Sequence, residues 1–130
     1  MVQLPASLND SHRLAAACRQ CLEALKAENI VEIDMHGHTI LTDIMLICSG
    51  TSTRHVSAIA ERMLEALTKV GLKGAQISGE REGQWVLVDL GGVMVHVLLP
   101  EMRERYALEN LYRCMATGVG QLPPPKEAGA

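Results

Sequence analysis

Aromatic side chains are nearly missing from this sequence: one Trp, two Tyr and no Phe among 130 residues. Aliphatic side chains and Met must therefore fill the core, which the 48% hydrophobic content permits. Each rare aromatic becomes a candidate for a role other than filling. Strong charge is missing too. A net charge of −3 and a pI of about 5.9 argue against a surface that follows a phosphate backbone over a long footprint. The same balance suits a basic protein partner. No apolar run approaches a membrane span, and the first residues lack the basic segment and apolar core of a secretory signal. Without such a signal, four Cys point to free thiols in a reducing cytoplasm. No internal repeat is present, and the length fits one domain that buries about two-thirds of its unfolded surface.

What is present centres on residues 84–98. Two β-rich runs flank Gly91-Gly92, a strong local hairpin signal, because glycine tolerates the positive φ of tight turns. A two-residue loop there dictates the register. Leu90 closes on Val93, Val88 faces Val95 and Val86 faces Val97, six apolar side chains on one face. The opposite face pairs Asp89 with Met94, Leu87 with His96 and Trp85 with Leu98. The bland reading of that second face is a solvated or helix-covered surface. The sharper one is a docking surface, since Trp beside polar groups is a common interface anchor.

Taken in order, residues 1–10 form a flexible leader, residues 11–117 the domain, and residues 118–130 a Pro-containing tail expected to be disordered. Helical spacing predicts a helix from Asn9 or Ser11 to about Ala27, with Leu14, Cys18, Cys21, Leu22 and Leu25 on one face. Ile30–Asp34 reads as a strand, His36-Gly37-His38 as a turn and Thr39–Leu41 as the start of another strand. Ile44–Cys48 is a continuous apolar run, expected as a central strand buried on both faces. A Ser/Gly/Thr loop then leads into a long helix with Val56, Ile59, Ala60, Met63, Leu64, Leu67 and Val70 as its stripe, stopped by Gly71. A short strand around Ala75–Ser78, a charged turn and the hairpin follow. Pro100–Arg105 is a turn or short helix, and Tyr106, Leu108, Leu111, Tyr112 and Met115 suggest a last helical segment. The order predicts an α/β fold, a single domain with a mixed sheet and helices packed on it.

Candidate chemistry is sparse. Cys18-Arg19-Gln20-Cys21 has the spacing of a redox or zinc pair, but no strand-to-helix entry or second ligand pair accompanies it and Cys48 and Cys114 stand alone, so core packing is preferred. Two His around Gly37 lack a third ligand. Ser49, Gly50, Thr51, Ser52, Thr53, Arg54 and His55 could offer backbone N–H groups to an anion, yet the Walker and three-glycine patterns are absent, and helix capping needs the same hydroxyls. Asp43 and Asp89 could converge at strand ends to hold Mg²⁺, without Asp-x-Asp spacing to strengthen the idea. No cofactor or metal is expected, and catalysis has no constellation to support it.

Two blocks together carry a resemblance. Thr42-Asp43-Ile44-Met45-Leu46-Ile47-Cys48-Ser49-Gly50-Thr51-Ser52-Thr53-Arg54-His55-Val56 with Ala58-Ile59-Ala60 is similar to the signature of the ribosomal silencing factor family (RsfS, also called Iojap). So is Gly83-Gln84-Trp85-Val86-Leu87-Val88-Asp89-Leu90-Gly91 with Val95-His96-Val97, continuing through Glu101, Arg103, Tyr106, Leu108, Glu109, Leu111 and Tyr112. The likeness spans roughly Leu14 to Arg113. It implies a nucleotidyltransferase-like topology without the catalytic carboxylates, and a cytoplasmic non-enzyme. It further implies binding of the large ribosomal subunit through large-subunit ribosomal protein number fourteen, which sterically blocks small-subunit joining and lowers translation when nutrients are scarce. The family's docking surface falls on Trp85, Asp89 and the segment from Glu101. With the rest of the hairpin's second face, the expected partner-binding set is Trp85, Leu87, Asp89, Met94, His96, Leu98 and Glu101. No membrane or extensive nucleic-acid contact is expected, and a homodimer is left open. The family commonly has Gly-Asp where this chain has Gly91-Gly92, so any role of that acid is lost. Aromatics frequent in the family are Ile44, Leu98 and Arg105 here, which shrinks the expected docking patch. The rival is a nucleotide-binding or nucleotidyltransferase-like enzyme using the Ser49–Arg54 loop and Asp89; a purely structural homodimer is a third reading.

Overall fold

The computed structural model describes residues 3, 5–35 and 42–106. In chain order it contains α1 (Ser11–Ala24), β1 (Glu28–Asp34), β2 (Ile44–Ser49), α2 (Thr53–Lys69), β3 (Gln76–Ser78), β4 (Trp85–Asp89), β5 (Val93–Leu98) and α3 (Pro100–Tyr106). The strands form one five-stranded sheet in the order β1-β2-β5-β4-β3. Only β2 and β5 run parallel; the other neighbours are antiparallel, so the sheet is mixed as expected.

The hairpin has the expected register. Val86 pairs with Val97, Val88 with Val95, and Leu87 with His96. The Leu90 amide donates to the Val93 carbonyl across the turn at 2.9 Å, and Gly91 takes a φ of 86°, a conformation that disfavours a Cβ. All six side chains of the inner face are fully buried. They meet α1 and α2, whose Leu14, Cys18, Leu22, Val56, Ile59 and Met63 complete the larger core. Burying a Val or Leu from water contributes about 1.5–3 kcal/mol before entropy is counted, so this face holds the fold together.

β2 is buried at every position, with β1 on one side and β5 on the other. It is an interior strand, although β5 occupies the centre of the sheet. Its outward-facing Met45 and Ile47 join Ile33, Met35 and Leu98 in a second, smaller cluster on the other face of the sheet, against which Trp85, Met94 and Met102 pack.

Local chemistry moved several boundaries. Asp10, not Asn9 or Ser11, caps α1 by accepting from the His12 amide at 2.8 Å. The helix stops at Ala24, three residues early, because Leu25 and Lys26 fold back onto Cys21 and Glu23 and Lys26 adopts a φ of 66°. β1 starts at Glu28 and carries an irregular register between Glu28 and Val31, with Asn29 at a φ of 52°. Val70, placed on the buried stripe of α2, is instead its exposed C-cap residue at 57% exposure, and Gly71 ends the helix at a φ of 112°. The described part of the leader is not loose. Gln3 exchanges two backbone bonds with Lys73, residues Ala6–Leu8 form a 3-10 turn, and Leu8 reaches the core. The His36–His38 turn, the strand start at Thr39–Leu41, Cys114, the last helical segment beyond Tyr106 and the tail lie outside the described residues.

Candidate functional site

The second face of the sheet can be laid out row by row from the strand pairing, because residues directly opposite one another share a face. One row runs Ile33, Met45, Met94, Asp89, Gln76, and the next Val31, Ile47, His96, Leu87, Ser78. Trp85 and Leu98 pair in the row beyond. Burial falls along each row from β2 towards β3. Met45, Ile47, His96 and Leu98 are buried, Trp85, Leu87, Asp89 and Met94 are half-buried, and Gln76 and Ser78 are exposed. The accessible patch is therefore the β4–β3 side of this face. His96 and Leu98, expected on the docking surface, lie beneath it at 3% and 0% exposure. The reason is tertiary: β1 and β2 bring four apolar side chains beside them.

Two hydrogen bonds shape the patch. The Trp85 indole Nε1–H donates to Nδ1 of His96 at 3.0 Å, with ring centroids 5.9 Å apart and tilted by 50°. Burial lowers the His96 pKa to about 4, so the imidazole is neutral near pH 7 and able to accept. Asp89 Oδ1 accepts from the Gly91 amide at 2.9 Å, so this half-buried carboxylate also braces the hairpin turn. At the far end, Glu101 is exposed in the first turn of α3, and Gln84, Leu99, Glu101 and Met102 line a groove of about 390 Å³. The Leu99 amide donates to the Gln84 carbonyl, which joins the groove to the strand carrying Trp85.

The Ser49–His55 loop is spent on structure. Ser52 Oγ accepts from the His55 amide at 3.1 Å and caps α2. His55 Nδ1 accepts from the Thr51 amide at 2.9 Å, which places the proton on Nε2, and Nε2 donates to the Leu25 carbonyl at 3.0 Å. One imidazole thus ties the start of α2 to the end of α1. The Gly50 amide donates to the Leu98 carbonyl, and a Cβ on Gly50 would lie 2.8 Å from Val56 Cγ2. Arg103 donates to Ser49 Oγ at 3.1 Å and to the Asn29 carbonyl at 2.8 Å, pinning α3 to the ends of β1 and β2. Arg54 is exposed at the first turn of the helix.

Asp43 and Asp89 both sit at the hairpin-turn end of the sheet, each with a neighbour that uses its carboxylate. Ser11 donates to Asp43 Oδ2 at 2.8 Å, and the Asp43 amide donates to the Gly92 carbonyl at 3.0 Å. Gly92 is closely packed here: a Cβ on it would run into Ser11 Oγ and lie 3.5 Å from Asp43 Oδ2. Ser11 was visible only as a potential cap, and its link to Asp43 has no signal in the sequence. Among the described residues no group of three His, Cys, Asp or Glu is placed to hold a metal ion. Cys18 and Cys48 are buried core residues whose thiols are pushed up to about 12 by burial, so neither is a ready nucleophile. Cys21 packs partly buried beside them, as the core reading of the Cys pair requires.

A family model described as "ribosomal silencing factor during starvation" matches residues 8–128. The ribosomal silencing factor RsfS of Haemophilus influenzae is 39% identical over 93 residues, covering 72% of this chain and 91% of that protein. A mouse protein named for mitochondrial assembly of the ribosomal large subunit is 34% identical over 89 residues, 66% of this chain and 39% of its own length. The crystal structure of a Chromobacterium violaceum protein superposes with a TM-score of 0.77 at 33% identity, covering 93% of this chain and 96% of that one.

Proposed function

Since the chain belongs to the ribosomal silencing factor family, we propose that it binds the large ribosomal subunit and keeps the small subunit from joining. The contact is made with large-subunit ribosomal protein number fourteen, and the block is steric: a folded domain on the joining surface occupies the space the small subunit needs. Translation falls as a result when nutrients are scarce, and the protein acts in the cytoplasm. The observation that carries the docking assignment is the half-buried Trp85, set beside the half-buried Leu87, Met94 and Asp89 on the sheet face opposite α1 and α2. Tryptophan is enriched among residues that dominate interface energy. Asp89 and Glu101 add negative charge beside it, suited to a basic ribosomal protein, and the net charge of −3 has the same sign. The name of the mouse relative, which speaks of the ribosomal large subunit, points the same way.

No step of catalysis is assigned. The loop a nucleotide would use is occupied by capping and tethering bonds, and the two candidate carboxylates are engaged by Ser11 and Gly91. Isolated subunits mixed with the purified chain and run through a sucrose gradient test the proposal. The expected result is a loss of joined ribosomes with the chain in the large-subunit fraction. Unchanged joining with the chain at the top of the gradient would overturn it. Calorimetric titration with ATP and Mg²⁺ should show no heat at micromolar concentrations; binding there would favour the nucleotide enzyme instead.

A further inference from the structure

Trp85 stands on β4 diagonally across from His96 on β5, and its single polar atom points inward to that neighbour. An indole on an open sheet face ordinarily keeps its N–H in water and turns about its side-chain bonds. A partner that covers such a ring must strip the N–H of water and fix the rotamer, both at a cost to affinity. Here the N–H is already bonded at 3.0 Å to a buried side chain that is itself fixed at 3% exposure.

We infer that His96 is a positioning residue rather than a contact: its Nδ1 holds the Trp85 indole by the N–H, so the ring meets the partner protein pre-oriented with hydrocarbon outward. The geometry explains why a histidine is buried beside Ile47, at the edge of a cluster whose buried members are Ile, Met and Leu. An acceptor is needed beneath the ring, and the neutral imidazole supplies one when its proton is on Nε2. The inference rests on the assignment of the Trp85 face as the docking surface. It adds a residue that works without touching the partner.

Trp85 is the only tryptophan, so its fluorescence anisotropy decay reads this ring alone. His96→Asn places an Oδ1 acceptor on the branch where Nδ1 stands, and His96→Leu keeps the branched shape without an acceptor. The parent and His96→Asn should show decay at the tumbling rate of the whole domain, while His96→Leu gains a faster component. Affinity for isolated large subunits should fall about tenfold in His96→Leu and less than about threefold in His96→Asn, the scale of one side chain left unordered. In a Trp85→Phe background, which has no N–H, His96→Leu should weaken binding no further. A fast component in the parent overturns the inference whatever the variants do, as does equal loss in the Asn and Leu variants. Parental affinity in Trp85→Ala would instead sink the docking assignment and with it the binding role of His96, while the anisotropy contrast would still judge whether His96 holds the ring.

Discussion

At the scale of the residue, burial decides what each polar group does. His96 has a pKa of about 4 in the fold against 6.5 as an ordinary histidine. Between those values the unfolded chain binds more protons than the folded one, so stability is retained above pH 6.5 and drains away as the pH falls towards 4. The full effect is about 3 kcal/mol. Melting followed from pH 7 to pH 4 should therefore drop more steeply for the parent than for His96→Leu; parallel slopes would show that the imidazole does not titrate this way. Gly92 makes a second residue-scale case. An aspartate there would run into Ser11 Oγ and set a second carboxylate near Asp43. Gly92→Asp should cost about 1–3 kcal/mol in urea unfolding, and Ser11→Gly should restore part of it. Neither contact could be read in advance, because Ser11 and Gly92 are far apart in the chain and meet only through the packing of α1 on the sheet.

At the scale of the element, local patterns were legible and long-range ones were not. The hairpin follows from alternation about two glycines, and a slip of one residue would have exchanged its faces. The buried run of β2 and the stripe of α2 were equally local. The end of α1 is not legible, because positive φ at Lys26 leaves no mark in composition. Periodicity places Val70 on the buried stripe, but the last periodic position of this helix is its exposed cap. Alternation in the hairpin puts His96 and Leu98 on the open surface, because the hairpin alone cannot reveal that Met45 and Ile47 lie beside them. For the Ser49–His55 loop, hydroxyls at a helix start are consistent with either capping or anion binding, and only the bonds to Thr51, Leu25 and Ser49 separate the two. Ser52→Ala should cost about 1 kcal/mol of stability, the ordinary value of a lost N-cap, with large-subunit affinity unchanged. A folded Ser52→Ala variant that binds much more weakly would return a ligand role to the loop.

At the scale of the whole molecule, one face of the sheet is committed to the core by two helices, while the β4–β3 side of the other presents a patch with one aromatic ring among the described residues. In the proposed docking, buried area alone does not set affinity and a few residues carry most of it. Charge supplies the rest: Asp89→Lys should weaken the complex with a basic partner, more at low salt than at high salt. Asp89 also braces the hairpin turn, so Asp89→Asn, which keeps the oxygen that accepts from Gly91, separates loss of charge from loss of the turn. Salt titration of large-subunit binding for both variants checks this. Equal affinity at every salt concentration would remove Asp89 from the interface.

The most direct test is cosedimentation of Trp85→Ala with isolated large subunits, read beside circular dichroism of the same sample. Trp85 is only half-buried, so helix content should stay near that of the parent. Losing an anchor tryptophan costs an interface about 2 kcal/mol or more, roughly thirtyfold in affinity. At a protein concentration where the parent pellets with the subunit, the variant should therefore stay in the supernatant. A well-folded Trp85→Ala that pellets as the parent does and still blocks joining would contradict the account.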